Sequence, residues 1–143
     1  VLFGTPDDTL EQIDISMEIS SEFPFSNDVW PSDITFTLNG TELGTWTSPG
    51  DFADTRGKLN PSWWPSNLNQ YGLLKTLRVT HHGTYMDGDP LSQVSISDLN
   101  KTAETWEIRI EVKPDAENVG GVTLFGKKFG NHDQDINFKA YYS

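Results

Sequence analysis

The sequence predicts an all-β fold, namely an antiparallel β-sandwich of about eight strands. Apolar residues recur at every second position in most segments, which is the spacing of a strand with one buried face. The chain also has 12 Gly and 8 Pro among 143 residues, and these turn formers divide the alternating segments into short pieces. No stretch shows the 3.6-residue period of an amphipathic helix.

The first strand is expected at residues 13–19. Ile13, Ile15 and Met17 alternate there with polar residues such as Asp14 and Glu18. Successive side chains of a strand point to opposite faces of the sheet, so this segment predicts one face in the core and one in solvent.

The second and third strands are expected at 34–38 and 43–46, joined as a hairpin. Asn39 and Gly40 stand between them, and both residue types accept the positive φ angles of a tight two-residue turn. The dipeptide therefore predicts the direct pairing of these two strands.

The remaining strands follow from the same alternation and from turn signals such as Gly120-Gly121. They are expected at 73–80, 93–96, 106–112, 122–125 and 136–142.

Two long irregular connections, residues 20–33 and 48–71, favour a jelly roll of the galactose-binding-domain-like type. Residues 1–8 are interpreted as the end of an inter-domain linker, and 9–143 as a single sandwich domain. The length suits one domain. A first residue other than Met suggests a domain from a longer protein.

The charge distribution argues against direct binding to nucleic acid. The chain has a formal net charge of −11, and residues 1–55 contain 11 Asp and Glu and no Lys or Arg. Binding to DNA depends largely on Lys and Arg that displace condensed counterions. We also predict no membrane partner, because no apolar run approaches the roughly 20 residues needed to cross a bilayer.

The segment "LNPSWWPSNLNQYG", residues 59–72, carries two adjacent tryptophans between prolines. Pro61 and Pro65 lack backbone donors, so Trp63 and Trp64 must pack through their side chains. One interpretation is a plug that closes the end of the core. The other interpretation is that one indole forms the wall of a ligand site. Both interpretations are compatible if one tryptophan points inward and the other outward.

The candidate ligand site combines these tryptophans with nearby polar and aromatic side chains that could recognise a sugar-like molecule. An ordinary solvated loop has the same composition, so that alternative stays open. The candidate residues are Asp51, Arg56, Trp63, Trp64, Gln70, Tyr71, Trp30 and Trp46.

The sequence carries no motif for catalysis, so we predict a protein that is not an enzyme and that uses no cofactor. Paired carboxylates brought together by folding stay open as an alternative. His81 and His82 are adjacent and His132 stands alone, and with no cysteine a zinc site is not expected. The clusters "DGDP" and "NHDQD" leave calcium open.

A resemblance covers most of the chain. The succession "GTWTSPGDF", "RGKLNPSWWP", "QYGLLKTLRV", "EVKPDAENVGGVTLFGKKFGN" and "QDINFKAYY" resembles the C-terminal region of bacterial winged-helix transcriptional regulators of the ArsR family, found mostly in Firmicutes. The resemblance implies a β-rich domain that senses a ligand or mediates association, while a separate N-terminal domain binds DNA. Family members that sense metals use cysteine thiolates, which are absent here.

The expected function is therefore that of the ligand-sensing or assembly domain of a cytoplasmic transcriptional regulator. A homodimer is expected, because operators are usually two-fold. The alternative is a carbohydrate-binding module of a secreted or surface enzyme, since five tryptophans suit stacking on sugar rings. A cupin-type enzyme is disfavoured, because its metal site needs several converging histidines.

Overall fold

The computed structural model describes residues 10–23, 27–100 and 105–143. The predicted linker at 1–8 lies outside the described residues. Within them the chain forms nine strands and a single 3-10 turn at Ile96–Asp98. The strands are β1 (Leu10–Ser20), β2 (Ser32–Leu38), β3 (Thr41–Ser48), β4 (Leu73–Thr80), β5 (Thr84–Met86), β6 (Asp89–Ser92), β7 (Ile108–Val112), β8 (Thr123–Phe125) and β9 (Asn137–Tyr142).

The strands form two antiparallel sheets. One has six strands, in the order β6-β5-β4-β1-β8 with β9 also paired to β1, and the other has three, in the order β3-β2-β7. β1 is the centre of the larger sheet: one side pairs with β4, and the other pairs with β9 along its first half and with β8 at its end. The predicted all-β sandwich is confirmed, while the jelly-roll connectivity stays a prediction.

The core lies between the two sheets. Ile13 and Ile15 of β1 and Ile34 and Phe36 of β2 have no exposed surface. Burying an aliphatic or aromatic side chain of this size contributes roughly 1.5–3 kcal/mol. Alternation along β1 and β2 thus supplies the apolar faces that hold the sheets together.

The hairpin between β2 and β3 is confirmed. Asn39 and Gly40 have φ angles of 48° and 82°, as a type I′ turn requires. Asn39 also fixes the turn to neighbouring loops: its Nδ2 donates to the carbonyl of Asn100 at 3.0 Å, and its Oδ1 accepts from the N–H of Glu107 at 2.6 Å.

The expected strand at 93–96 is wrong. The ladder is formed instead by β5 and β6, joined through Asp87 and Gly88 with φ angles of 50° and 87°. Pro90 lies within β6, which is an edge strand, the position in a sheet where a residue without an N–H is tolerated. Residues 93–96 lead into the 3-10 turn, where Ile96 is fully buried.

The strand expected at 106–112 begins two residues later, at Ile108. Trp106 is nevertheless 6% exposed and packs in the core, with its ring centroid 6.1 Å from that of Phe138. In the described parts of the chain, no helix is both long enough and apolar enough to pass through a membrane.

Candidate functional site

Loops cover one end of the larger sheet on its outer face. Alternation along β1 predicts Glu18 on the solvent side, yet its side chain is fully buried. Its carboxylate accepts the backbone N–H groups of Gly72 at 2.8 Å, Asn131 at 3.0 Å and His132 at 2.9 Å. Three donors compensate for the burial of a carboxylate, and they join two loops to the middle of the sheet.

The tryptophan loop, residues 57–70, is held together by the buried side chain of Gln70. Its Oε1 accepts from the N–H of Gly57 at 3.3 Å and from Nδ2 of Asn60 at 3.0 Å. Its Nε2 donates to the carbonyls of Pro65 at 2.7 Å and Leu68 at 3.0 Å. One side chain therefore replaces the backbone ladder that the prolines forbid.

The two tryptophans have different environments. Trp63 is 68% exposed, whereas Trp64 is half-buried and its Nε1 donates to the carbonyl of Asn69 at 2.9 Å. Both indoles meet the ring of Phe129 edge-on, with centroid distances of 6.4 Å and 5.6 Å. The guanidinium of Arg56 donates to the carbonyls of Trp64, at 3.1 Å, and Pro61, and so supports the backbone of the loop.

A cleft of about 530 Å³ opens beside Trp64 at this end of the sandwich. We call it the end cleft. Its walls come from the segment after β1, the segment after β3, the tryptophan loop and β8. It is lined by Glu22, Phe23, Asp51, Trp64, Leu68, Asn69 and Thr123.

Asp51 is the most constrained polar residue of the end cleft. Its side chain has no exposed surface, and its backbone pairs with that of Asn27. Its Oδ2 accepts the N–H of Phe23 at 2.9 Å, whereas Oδ1 has no partner among the described residues. Burial raises the pKa of the Asp51 carboxyl above its ordinary value of 3.8, the Phe23 hydrogen bond opposes this rise, and the charge of Glu22 adds to it.

Asn69 supplies a second unsatisfied acceptor. Its Nδ2 donates to Oγ of Ser20 at 3.1 Å, while its buried Oδ1 has no partner in the part of the chain that the structure describes. The end cleft therefore combines two buried acceptors without donors with an aromatic wall.

Five of the eight candidate residues lie in the end cleft or at the tryptophan loop. Asp51 and Trp64 line the end cleft. Gln70 holds the tryptophan loop together, and Arg56, which directly precedes the loop, supports its backbone. Trp63 belongs to the same loop and is exposed on the surface.

The other three candidates do not line the end cleft. Trp30 packs edge-on against Phe23, with ring centroids 4.6 Å apart. Tyr71 stacks on Phe52 and its hydroxyl donates to Asp54, which raises the pKa of Tyr71 to about 12. Trp46 lies in β3, where the ammonium of Lys75 is 5.5 Å from its ring centroid.

Sequence reasoning missed four lining residues, namely Glu22, Phe23, Leu68 and Thr123. Glu22 and Phe23 lie in the irregular segment after β1, and Thr123 lies in a short strand, so none of these three has a local signal for binding. The pairing of Thr123 with Ser20 is what brings β8 to this end of β1.

Among the described residues, no three His, Asp or Glu side chains are grouped so that they could hold a metal ion. The protein is thus an all-β sandwich with a ligand-sized cleft at one end.

Comparison with known proteins found no matching family model, no matching curated protein and no matching solved structure.

Proposed function

We propose that this domain binds a small molecule in the end cleft without transforming it, as the ligand-sensing domain of a bacterial transcriptional regulator. The observation that carries the binding part is the pair of unpartnered acceptors, Asp51 Oδ1 and Asn69 Oδ1, in a cleft bordered by Trp64. The regulator part rests on the sequence resemblance and on the acidic charge, which assigns DNA binding to a separate domain.

Energetics support binding at this position. A buried acceptor without a donor costs about 1–3 kcal/mol, and native structures contain few such groups. Two of them lie in one cleft here. A ligand that brings O–H or N–H donors would recover this cost, and a volume of about 530 Å³ is within the range for sites that take small organic molecules.

The link to regulation follows from thermodynamics. A ligand changes DNA binding only if it binds one arrangement of the regulator more tightly than another. The end cleft joins segments from both sheets and two long loops. A bound ligand that contacts these segments would therefore change how the loops lie on the surface. The proposal includes a cytoplasmic homodimer, in which two such domains serve two DNA-binding domains.

A carbohydrate-binding module of a secreted or surface enzyme is the second candidate. The observation that favours it is Trp63, a residue that is 68% exposed, contacts the ring of Trp64 and offers aromatic surface to a sugar ring. Under this function, Trp63→Ala would weaken binding to oligosaccharides. Under the regulator function, Trp63→Ala would leave the affinity for a ligand in the end cleft nearly unchanged.

A ligand screen on the 143-residue chain tests the proposal. Sugars, polyols, amines, nucleosides and small carboxylic acids are titrated while tryptophan emission is followed, because Trp64 borders the cleft. We expect a saturable change that Leu68→Arg abolishes by filling the cleft. Ile136→Arg is the matched control, since Ile136 is 39% exposed and does not line the end cleft. No response to any compound, or an equal response in both variants, would contradict the proposal.

A further inference from the structure

The hydrogen-bonding groups of the end cleft call for a donor-bearing ligand. Two donor groups of its side chains already have protein acceptors: the Trp64 indole N–H donates to the carbonyl of Asn69, and the Asn69 amide donates to Oγ of Ser20. The unpartnered atoms are both acceptors, Asp51 Oδ1 and Asn69 Oδ1. A ligand whose polar groups are acceptors would leave them unpaired.

The charge in the end cleft has one sign. Glu22 and Asp51 both line it, and of the described residues in its walls none is Lys, Arg or His. Both lie in residues 1–55, which contain no Lys or Arg in sequence. An anionic ligand is therefore repelled, and a cation is attracted.

The apolar part of the wall distinguishes an organic cation from a metal ion. Phe23, Trp64 and Leu68 present aromatic and aliphatic surface to the same cleft. Aromatic faces attract ammonium groups through the negative face of the ring. A metal ion instead needs several oxygen or nitrogen ligands, and the described residues contain no group of three His, Asp or Glu side chains that could supply them.

We propose that the end cleft selects a primary organic ammonium over its neutral counterpart, with the ammonium on Asp51 Oδ1 and Asn69 Oδ1 and the carbon skeleton against Trp64 and Leu68. This inference rests on the proposed function and names the ligand class. A charge-assisted hydrogen bond is roughly twice as strong as a neutral one, so the amine has the advantage at Asp51. Both oxygens are buried, so side chains that line the end cleft must shift slightly when the ammonium enters. The fluorescence of Trp64 should change with this shift.

Matched pairs of compounds test the selection. The pairs are 2-phenylethylamine with 2-phenylethanol, 1,4-diaminobutane with 1,4-butanediol, and glucosamine with glucose. Each is titrated into the 143-residue chain at neutral pH by calorimetry and tryptophan fluorescence. We expect the amine to bind at least about tenfold more tightly than the alcohol in at least one pair.

Two variants locate the charge effect. Asp51→Asn keeps an acceptor for the Phe23 N–H and should reduce the preference for the amine to about twofold or less. Glu22→Gln, at an exposed position that is not expected to affect folding, should reduce it by a smaller factor. Asp89→Asn removes the same charge from exposed β6 and should leave the preference unchanged.

The outcomes separate the two proposals. Equal or tighter binding of the alcohols, abolished by Leu68→Arg, would overturn the ammonium inference and leave the proposed function in place. An amine preference that survives Asp51→Asn and Glu22→Gln would also overturn it. Binding of none of the six compounds would overturn it as well, and the wider ligand screen would then decide the proposed function separately.

Discussion

Asp51 and Glu18 are both fully buried carboxylates at the same end of the sandwich. Glu18 receives three backbone N–H donors, whereas Asp51 receives one. Glu18 is therefore satisfied within the fold and acts as an anchor for two loops. Asp51 retains an unpaired oxygen in a cleft, which is what a binding residue needs and what a purely structural residue normally lacks.

Asp51→Asn should stabilise the ligand-free protein at neutral pH. The folded-state pKa of Asp51 is raised above 3.8, so the folded protein holds the Asp51 proton more tightly than the unfolded chain does. This contribution to stability is fully present below 3.8 and is lost as pH rises through the folded-state pKa. The stability advantage of Asp51→Asn should therefore be largest at neutral pH and shrink as pH falls toward 4, roughly the unfolded pKa of Asp.

Urea unfolding of both proteins between about pH 4 and pH 7 measures this difference. Asp89→Asn serves as the control, because the side chain it alters is exposed. An advantage that stays constant over this pH range would contradict the prediction, since it would show that the charge of Asp51 is not its cause.

Glu18→Ala should strongly destabilise the protein. It leaves the N–H groups of Gly72, Asn131 and His132 without their acceptor at a buried position. We expect the free energy of unfolding to fall by about 3 kcal/mol or more, because each buried unpaired donor costs about 1–3 kcal/mol. Glu11→Ala, at an exposed position of the same strand, should change it by less than about 0.5 kcal/mol. Similar losses in both variants would mean that Glu18 is not an anchor.

At the scale of elements, the strands and the tryptophan loop are specified in different ways. The long strands follow from alternation, and Asn39-Gly40 sets the hairpin between β2 and β3, so both could be read from the sequence. β5 and β6 have only three and four residues, too few for a clear period, and they were missed. The tryptophan loop has no ladder, so its shape depends on the partners of the Gln70 side chain, which no local pattern reveals.

Gln70→Ala should loosen the tryptophan loop without unfolding the sheets. It removes the acceptor for Gly57 and Asn60 and the donor for Pro65 and Leu68. We expect a loss of about 2–3 kcal/mol in the free energy of unfolding and faster tryptic cleavage after Arg56 and Lys58.

Limited proteolysis with mass spectrometry identifies the cleaved bonds of the Gln70→Ala protein. Asn67→Ala alters an exposed amide of the same loop and should leave the cleavage rate near that of the protein without substitutions. Cleavage that increases equally at Lys139, in β9, would indicate global unfolding and contradict a role confined to the loop.

At the scale of the whole molecule, charge determines which partners the domain can bind directly. The formal net charge is −11, and the sequence pI is about 4.4. A surface of this kind repels polyanions over the roughly 10 Å Debye length at moderate salt. We therefore expect no direct contact between these 143 residues and DNA.

The 143-residue chain should accordingly fail to bind duplex DNA even at about 50 mM salt, where non-specific binding is strong for basic proteins. Fluorescence anisotropy of a labelled duplex measures this, with a basic DNA-binding domain as positive control. Binding that weakens with salt would contradict the prediction, because it would show a basic surface that the formal charge conceals.

The sequence by itself determined the fold class, the main strands with their buried faces, and the sign of the surface charge. Each of these depends on residue type and on spacing over a few residues, so local physics is sufficient. The tertiary structure decided which side chains line the end cleft, because Phe23, Asp51, Asn69 and Thr123 come from four separate segments. It also decided that Glu18 is satisfied while Asp51 is not, since hydrogen bonding of a buried group depends on donors that folding brings from distant parts of the chain.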